Sequence, residues 1–106
     1  MGITLNVENE TPRAVDLYLR GRAPTFDVIV ARPDGAVVWQ RLENEIIPAI
    51  VNLRTLAPAE RLELATVWDQ RTRQGNAVAA GEYTARALLL VEGDPLETTS
   101  VAFQID

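Results

Sequence analysis

The side chains best suited to chemistry in this chain are carboxylates and arginines, because its 106 residues include neither histidine nor cysteine. Fifteen residues are Asp or Glu, and a glycosidase-like hydrolase would need two of them to converge in a cleft. Asp27, Asp34 and Asp69 are the candidates. However, Asp34 serves a turn, Asp69 ends a strand, and Asp27 is expected on the polar face of a strand. A catalytic carboxylate pair is therefore disfavoured, as is a calcium site, since the loops contain no Asp-x-Asp pattern.

Nucleophilic and redox chemistry have still less support. Without histidine the chain lacks the usual general base near neutral pH and the commonest metal ligand. Without cysteine it can form no disulfide and no thiolate nucleophile. Ser100 is the only serine, and no histidine is present to activate it. We therefore predict that the protein is not an enzyme and uses no cofactor.

The net charge of the chain disfavours several classes of binding partner. Its formal net charge is −5, which disfavours nucleic acid and anionic membrane surfaces. No run approaches the roughly 20 apolar residues that a membrane span requires. The first residues lack the basic and apolar regions of a signal peptide. We expect a cytoplasmic protein whose partner is another protein, and weak self-association stays open.

Alternation with a period of two governs the elements that position these side chains. It recurs in segments that begin near Ile3, Val15, Phe26, Leu62 and Tyr83. Turn signals such as Pro-Asp-Gly separate the segments at intervals of roughly 8–12 residues. The pattern predicts an all-β fold, an immunoglobulin-like Greek-key β-sandwich of about seven or eight antiparallel strands. The length predicts one domain over residues 1–106.

Two regions resist this interpretation. Residues 46–56 are apolar but contain Pro48, which suggests an irregular crossover or an edge strand, and a helix over residues 42–53 is the alternative. Residues 69–80 form the longest polar connection, and Gly75 and its small neighbours predict a soft loop.

The residues most suited to binding a partner lie in or near that connection. Arg71 and Arg73 could offer basic side chains to a protease or another protein, although solvated loop arginines are the simpler interpretation. Trp39 and Trp68 are expected at the core or its edge, and Trp39 is the more exposed of the two. We therefore name Arg71, Arg73 and Trp39 as candidate partner-binding residues.

Two further residues have predicted structural roles. Tyr83 follows Gly81-Glu82 at the entry to a long strand, where Greek-key sandwiches often bond a tyrosine hydroxyl to nearby backbone. Asn9-Glu10-Thr11 matches a glycosylation sequon, but Asn9 is expected to bond the backbone of the turn before Pro12.

Several short motifs occur in order along the chain: Asn9, Phe26-Asp27-Val28, Asp34-Gly35-x-x-Val38-Trp39, Leu56-x-Pro58-x-Glu60, Trp68-Asp69 and Gly81-Glu82-Tyr83-Thr84. Together they resemble the intracellular proteinase inhibitor family, the BsuPI-like domains, over nearly the whole chain.

The resemblance implies an immunoglobulin-type β-sandwich and inhibition of intracellular serine proteases of the subtilisin type. The alternative is a non-inhibitory interaction or assembly module. One departure concerns Ala59, which stands where the family usually has glycine and predicts a different turn.

Overall fold

The protein consists of short β-strands joined by turns, as a computed structural model shows for every residue from Met1 to Asp106. The strands are β1 Gly2–Glu8, β2 Val15–Arg20, β3 Phe26–Ala31, β4 Val37–Gln40, β5 Val51–Leu56, β6 Arg61–Val67, β7 Gly81–Leu89, β8 Leu96–Glu97 and β9 Val101–Ile105. There is no helix, so the helical alternative for residues 42–53 is wrong. An irregular stretch up to residue 50 precedes β5, as Pro48 indicated.

One long antiparallel ribbon forms the first part of the fold. β1 pairs with β6, from Gly2 opposite Val67 to Glu8 opposite Arg61. The ribbon is interrupted between β1 and β2 on one side and between β5 and β6 on the other. Beyond these two breaks, β2 pairs with β5, again antiparallel. Leu19 then makes a single antiparallel bridge to Val91, which joins the far end of the ribbon to the larger sheet.

The larger sheet has five strands and is built around β7. β3 pairs with β7 along its whole length and with β4 on its other side. β8 and β9 both pair with β7 on the side away from β3. All of these pairings are antiparallel, as the alternating segments predicted.

The core lies between the ribbon and the larger sheet, and the alternating apolar residues supply it. Trp68, Leu56, Leu89, Val28 and Val30 are the largest fully buried side chains. β3 is buried on both faces over its first residues, because it lies in the middle of the larger sheet. The all-β sandwich is thus confirmed. Its strands number nine because β8 is a separate two-residue strand, and the immunoglobulin-like Greek-key order stays a prediction. The structure holds no helix with the length and apolar character of a membrane span.

The turn between β5 and β6 contains Ala59. Ala59 has a φ of 66°, in the left-handed region, so alanine occupies the conformation that glycine would favour. Its N–H donates to Asn9 O at 2.8 Å, and Glu60 N donates to Ala57 O at 2.9 Å. Ala59 thus adopts the positive φ that a glycine would permit, and these backbone hydrogen bonds hold a less suitable residue in that conformation.

Replacing Ala59 with glycine is expected to raise the free energy of unfolding. A non-glycine residue in the left-handed region lowers the free energy of unfolding by about 1–2 kcal/mol, and glycine would remove this strain. The greater conformational freedom of glycine in the unfolded chain would offset about half of that gain. The expected gain is about 0.5–1 kcal/mol in urea unfolding. Ala65→Gly, in the exposed face of β6, is the matched control and should destabilise instead. Equal losses in the two variants would contradict this account of the turn.

Candidate functional site

The segment between β6 and β7, residues 69–80, is a small hydrogen-bonded hairpin. Arg71 and Ala77 form an antiparallel bridge. Thr72 N donates to Asn76 O at 2.7 Å, and Gly75 N donates to Thr72 O at 2.9 Å. Gly75 has a φ of 86°, the left-handed conformation that ends a three-residue hairpin loop. Gly75 therefore shapes a defined, hydrogen-bonded turn, which the sequence did not predict.

This 69–80 hairpin is attached to the sandwich at both of its ends. At its start, the Trp68 indole N–H donates to Arg71 O at 3.0 Å. At its end, the Tyr83 hydroxyl donates to Ala79 O, which confirms the predicted role of this tyrosine. Val78 also packs against the core. Buried aromatic side chains therefore hold both arms of the hairpin.

The tip of the hairpin lies along β4. Arg73 N donates to Val38 O at 3.0 Å, so the hairpin covers part of the free edge of that strand. The Arg73 side chain turns toward the segment after β4, where its Nε lies 3.1 Å from Glu43 Oε2. Both side chains are about one-third exposed, at 37% and 34%. Arg73 thus serves first to fix the tip in place. Sequence reasoning missed Glu43, because nothing local marks it as a partner of this loop.

Arg71 is the more accessible of the two arginines. Its Nη1 donates to Gly75 O at 2.9 Å, and its backbone N donates to Asp69 Oδ1 at 3.1 Å. Its Nε lies 3.9 Å from Asp69 Oδ2, an exposed ion pair of small energetic value. The side chain stays 58% exposed, so its charge is available to a partner.

Trp39 lies at the edge of the core, as predicted. It is half-buried and stacks on Trp68, with ring centroids 5.8 Å apart and an angle of 25° between the planes. Trp68 is fully buried and bonds Arg71 through its indole. The structure therefore brings the three predicted residues together, with Trp68 between Trp39 and Arg71 and with Arg73 bonded to the residue before Trp39.

The carboxylates do not converge. Asp27 is 7% exposed rather than on a polar face, which corrects the expectation for it. Its carboxylate accepts from Val28 N, from Leu42 N and from Gln40 Nε2, so it fixes the chain at the end of β4. Asp34 Oδ1 accepts from Ala36 N in its turn, as predicted. No group of three or more potential metal ligands is present.

A cavity of about 430 Å³ lies away from the hairpin. It is lined by Arg20, by residues 47–51, by residues 90–93 and by Pro95. Large apolar side chains are exposed near it, and Ile46 is 92% exposed. On the outer face of the ribbon, Tyr18 and Leu53 are paired and both exposed. The period of two in β2 sets Tyr18 on the face opposite Leu17 and Leu19, but it does not reveal the apolar partner on β5.

A family model described as BsuPI, intracellular proteinase inhibitor, matches residues 1–93. No curated protein matches the chain. The matched residues include β1 to β7 and the whole 69–80 hairpin, and they end before β8 and β9.

Proposed function

The chain belongs to the intracellular proteinase inhibitor family, BsuPI, and on that premise we propose that it binds and inhibits an intracellular serine protease of the subtilisin type. The protein acts by binding alone, as one domain in the cytoplasm, and is not an enzyme. Asp27, the carboxylate that could have suggested catalysis, is bonded to three donors of its own chain. The family name supports a protease as the partner.

The 69–80 hairpin is the single observation that carries this proposal. Inhibitors gain affinity when the binding segment is rigid before the complex forms, because less conformational entropy is then lost. Disulfides often supply that rigidity, but this chain has no cysteine. Here the bonds from Trp68, from Tyr83 and to Val38 hold the segment instead.

The residues of the site have different roles in this proposal. Arg71 is the contact residue, since its guanidinium is more than half exposed. Arg73 positions the tip through Val38 and Glu43. The half-buried Trp39 exposes part of its ring beside the tip of the hairpin. Arginine and tryptophan are both enriched among the interface residues that contribute most of the binding free energy. Because residues 73–75 form a tight turn, the hairpin binds as a folded unit and resists cleavage.

Titration against a subtilisin-type protease tests the proposal, with a trypsin-like protease in parallel. Residual activity should fall stoichiometrically while the inhibitor stays intact on a gel. Arg71→Ala should weaken inhibition at least tenfold, which corresponds to about 1.4 kcal/mol. Arg22→Ala is the matched control, because Arg22 is an exposed arginine in the turn between β2 and β3, and it should inhibit like the wild type.

Two results would contradict the proposal. Full protease activity at a large excess of the protein would exclude inhibition of these proteases. Cleavage within residues 69–80 would make the hairpin a substrate rather than an inhibitory element.

A specific observation favours the second candidate, an interaction or assembly module. The side chains of Ile46, Val51 and Leu53 are apolar and exposed, and self-association could cover them. Val51 lines the cavity of about 430 Å³, and Leu53 lies two residues further along β5. Sedimentation over a range of concentrations separates the two functions. An increase in size that Leu53→Lys abolishes, without any protease inhibition, would favour the module.

A further inference from the structure

The outer edge of β1 has backbone groups without a partner. Met1 and Trp68 exchange both of their backbone hydrogen bonds, and Asn9 N donates to Glu60 O at 3.0 Å. Such bonds alternate along an antiparallel pair. The backbone N–H and C=O groups of the odd-numbered residues of β1 therefore point toward β6. The N–H and C=O groups of the even-numbered residues point the other way, where β1 has no neighbouring strand. Those residues are Gly2, Thr4, Asn6 and Glu8.

This edge lacks the features that usually protect a strand from further pairing. Free edges are commonly blocked by proline, lysine, a bulge or a covering segment. β1 contains neither proline nor lysine, and its register with β6 is regular over all seven residues. The free edge of β4, in contrast, is covered where Val38 O accepts from Arg73 N. The β1 edge is therefore open to an added strand.

A groove of about 310 Å³ runs beside this edge, between β1 and β9. Most of its lining is apolar and includes Leu5, Ala87 and Phe103. Val101, Phe103 and Ile105 lie on the same face of β9, yet burial falls steadily along them. Ile105 is 9% exposed, Phe103 is half-buried, and Val101 is 63% exposed. The ribbon has only two strands here, so nothing lies over Val101. A third strand next to β1 would cover it.

The charges around the edge indicate what kind of segment would fit. Glu8 and Glu10 lie at one end of β1, and Glu63 lies opposite Asn6 on the outer face of β6. None of the three takes part in an ion pair. A basic side chain on an added strand would lie beside Glu8, whose neighbour on the other side, Arg61 of β6, forms no ion pair with it.

We infer that the groove binds an extended segment of a partner protein, which adds to β1 as a third strand of the ribbon sheet. The even-numbered residues of β1 supply its main-chain hydrogen bonds. Every second side chain of the segment is apolar and enters the groove over Val101 and Phe103. The outward side chain beside Glu8 is lysine or arginine. No residue of the 69–80 hairpin lines the groove, so the groove could be occupied while the hairpin binds a protease.

A peptide array tests the inference with the intact protein. The array carries seven-residue peptides that alternate an apolar residue with Thr, Lys or Glu, in both orders. We expect binding to peptides with valine, isoleucine or leucine at every second position and with a basic residue near one end. In solution, fluorescence anisotropy should show at least tenfold weaker binding when the backbone nitrogens that face β1 are methylated, because methylation removes the donors.

Matched variants of the protein locate the binding. Val101→Lys should weaken binding at least tenfold and leave the unfolding midpoint unchanged, because Val101 is largely exposed. Val67→Lys is the control, since Val67 is 75% exposed but lies on the outer face of β6, away from the groove. Glu8→Lys should shift the preference from basic to acidic peptides. All three variants should inhibit a protease as the wild type does.

Three outcomes would overturn the inference. The first is an array on which no peptide binds. The second is binding that neither Val101→Lys nor backbone methylation weakens. The third is a dimer in sedimentation that Val101→Lys abolishes, because the groove would then serve a second copy of the chain.

Discussion

Replacing Trp68 with alanine is expected to lower the free energy of unfolding by about 3–5 kcal/mol, the usual cost of removing a buried tryptophan. Trp68 is 0% exposed. Its ring stacks on Trp39 and meets Tyr83 and Phe103 edge to face, with centroids 6.5 and 6.4 Å away. The change also removes the donor to Arg71 O. Small domains are stable by only about 5–15 kcal/mol, so the loss is a large fraction of the total free energy of unfolding. Urea unfolding followed by circular dichroism measures the effect.

Two further variants separate the packing of Trp68 from its hydrogen bond. Trp68→Phe keeps an aromatic ring but has no N–H, so it should cost less stability than alanine while still loosening the 69–80 hairpin. Trp39→Ala should cost less than Trp68→Ala, because Trp39 is only half-buried. If Trp68→Ala lowers the free energy of unfolding by less than about 1.5 kcal/mol, the Trp68 ring does not have the central role in core packing that is expected of it.

Replacing Asn9 with alanine is expected to lower the free energy of unfolding by about 2–4 kcal/mol, because a buried hydrogen-bonding network would lose its centre. Asn9 is 5% exposed. Its amide nitrogen donates to Arg13 O at 2.7 Å and to Leu56 O at 2.9 Å. Its Oδ1 accepts from Thr11 N and from Thr11 Oγ1. The Asn9 side chain thus stabilises both breaks of the ribbon, the one between β1 and β2 and the one between β5 and β6. Urea unfolding of the two proteins measures the difference.

Asn9→Asp distinguishes these hydrogen bonds from simple packing. The aspartate has the same shape and keeps the acceptor, but it loses both donated bonds and sets a carboxylate against two carbonyl oxygens. It should therefore destabilise at least as much as alanine. Thr11→Ala should cost only about 0.5–1.5 kcal/mol, since it removes one exposed hydroxyl from the network. An aspartate variant as stable as the wild type would contradict the role of the donated bonds.

The sequence predicted those parts of the structure that depend on local patterns. Alternation identified the strands, and Asp34-Gly35 identified a turn whose Asp34 bonds Ala36 as expected. The family motifs prove to be mainly structural. Asn9, Asp27 and Trp68 are buried. Asn9 and Asp27 bond backbone of distant segments, and Trp68 bonds the start of the 69–80 hairpin.

The candidate site was only partly predictable, because its rigidity depends on contacts between distant segments. Arg71 and Arg73 were named from their loop, but the bond from Arg73 to Val38 and the ion pair with Glu43 appear only when the chain is folded. Gly75 suggested softness in isolation and forms a defined turn in context. Likewise, the open edge of β1 depends on which strands lie beside it, and periodicity does not reveal that.

The pairing of β1 with β6 also bears on how the protein is made. Once β1 has left the ribosome, it has no partner until Arg61–Val67 has been synthesised. At about 5–20 residues per second, that delay lasts on the order of several seconds. Pairings between such distant segments also form slowly once both are available. The nascent chain therefore exposes a strand with apolar residues at every second position before its sandwich can close. During that interval the exposed strand could bind chaperones or neighbouring nascent chains.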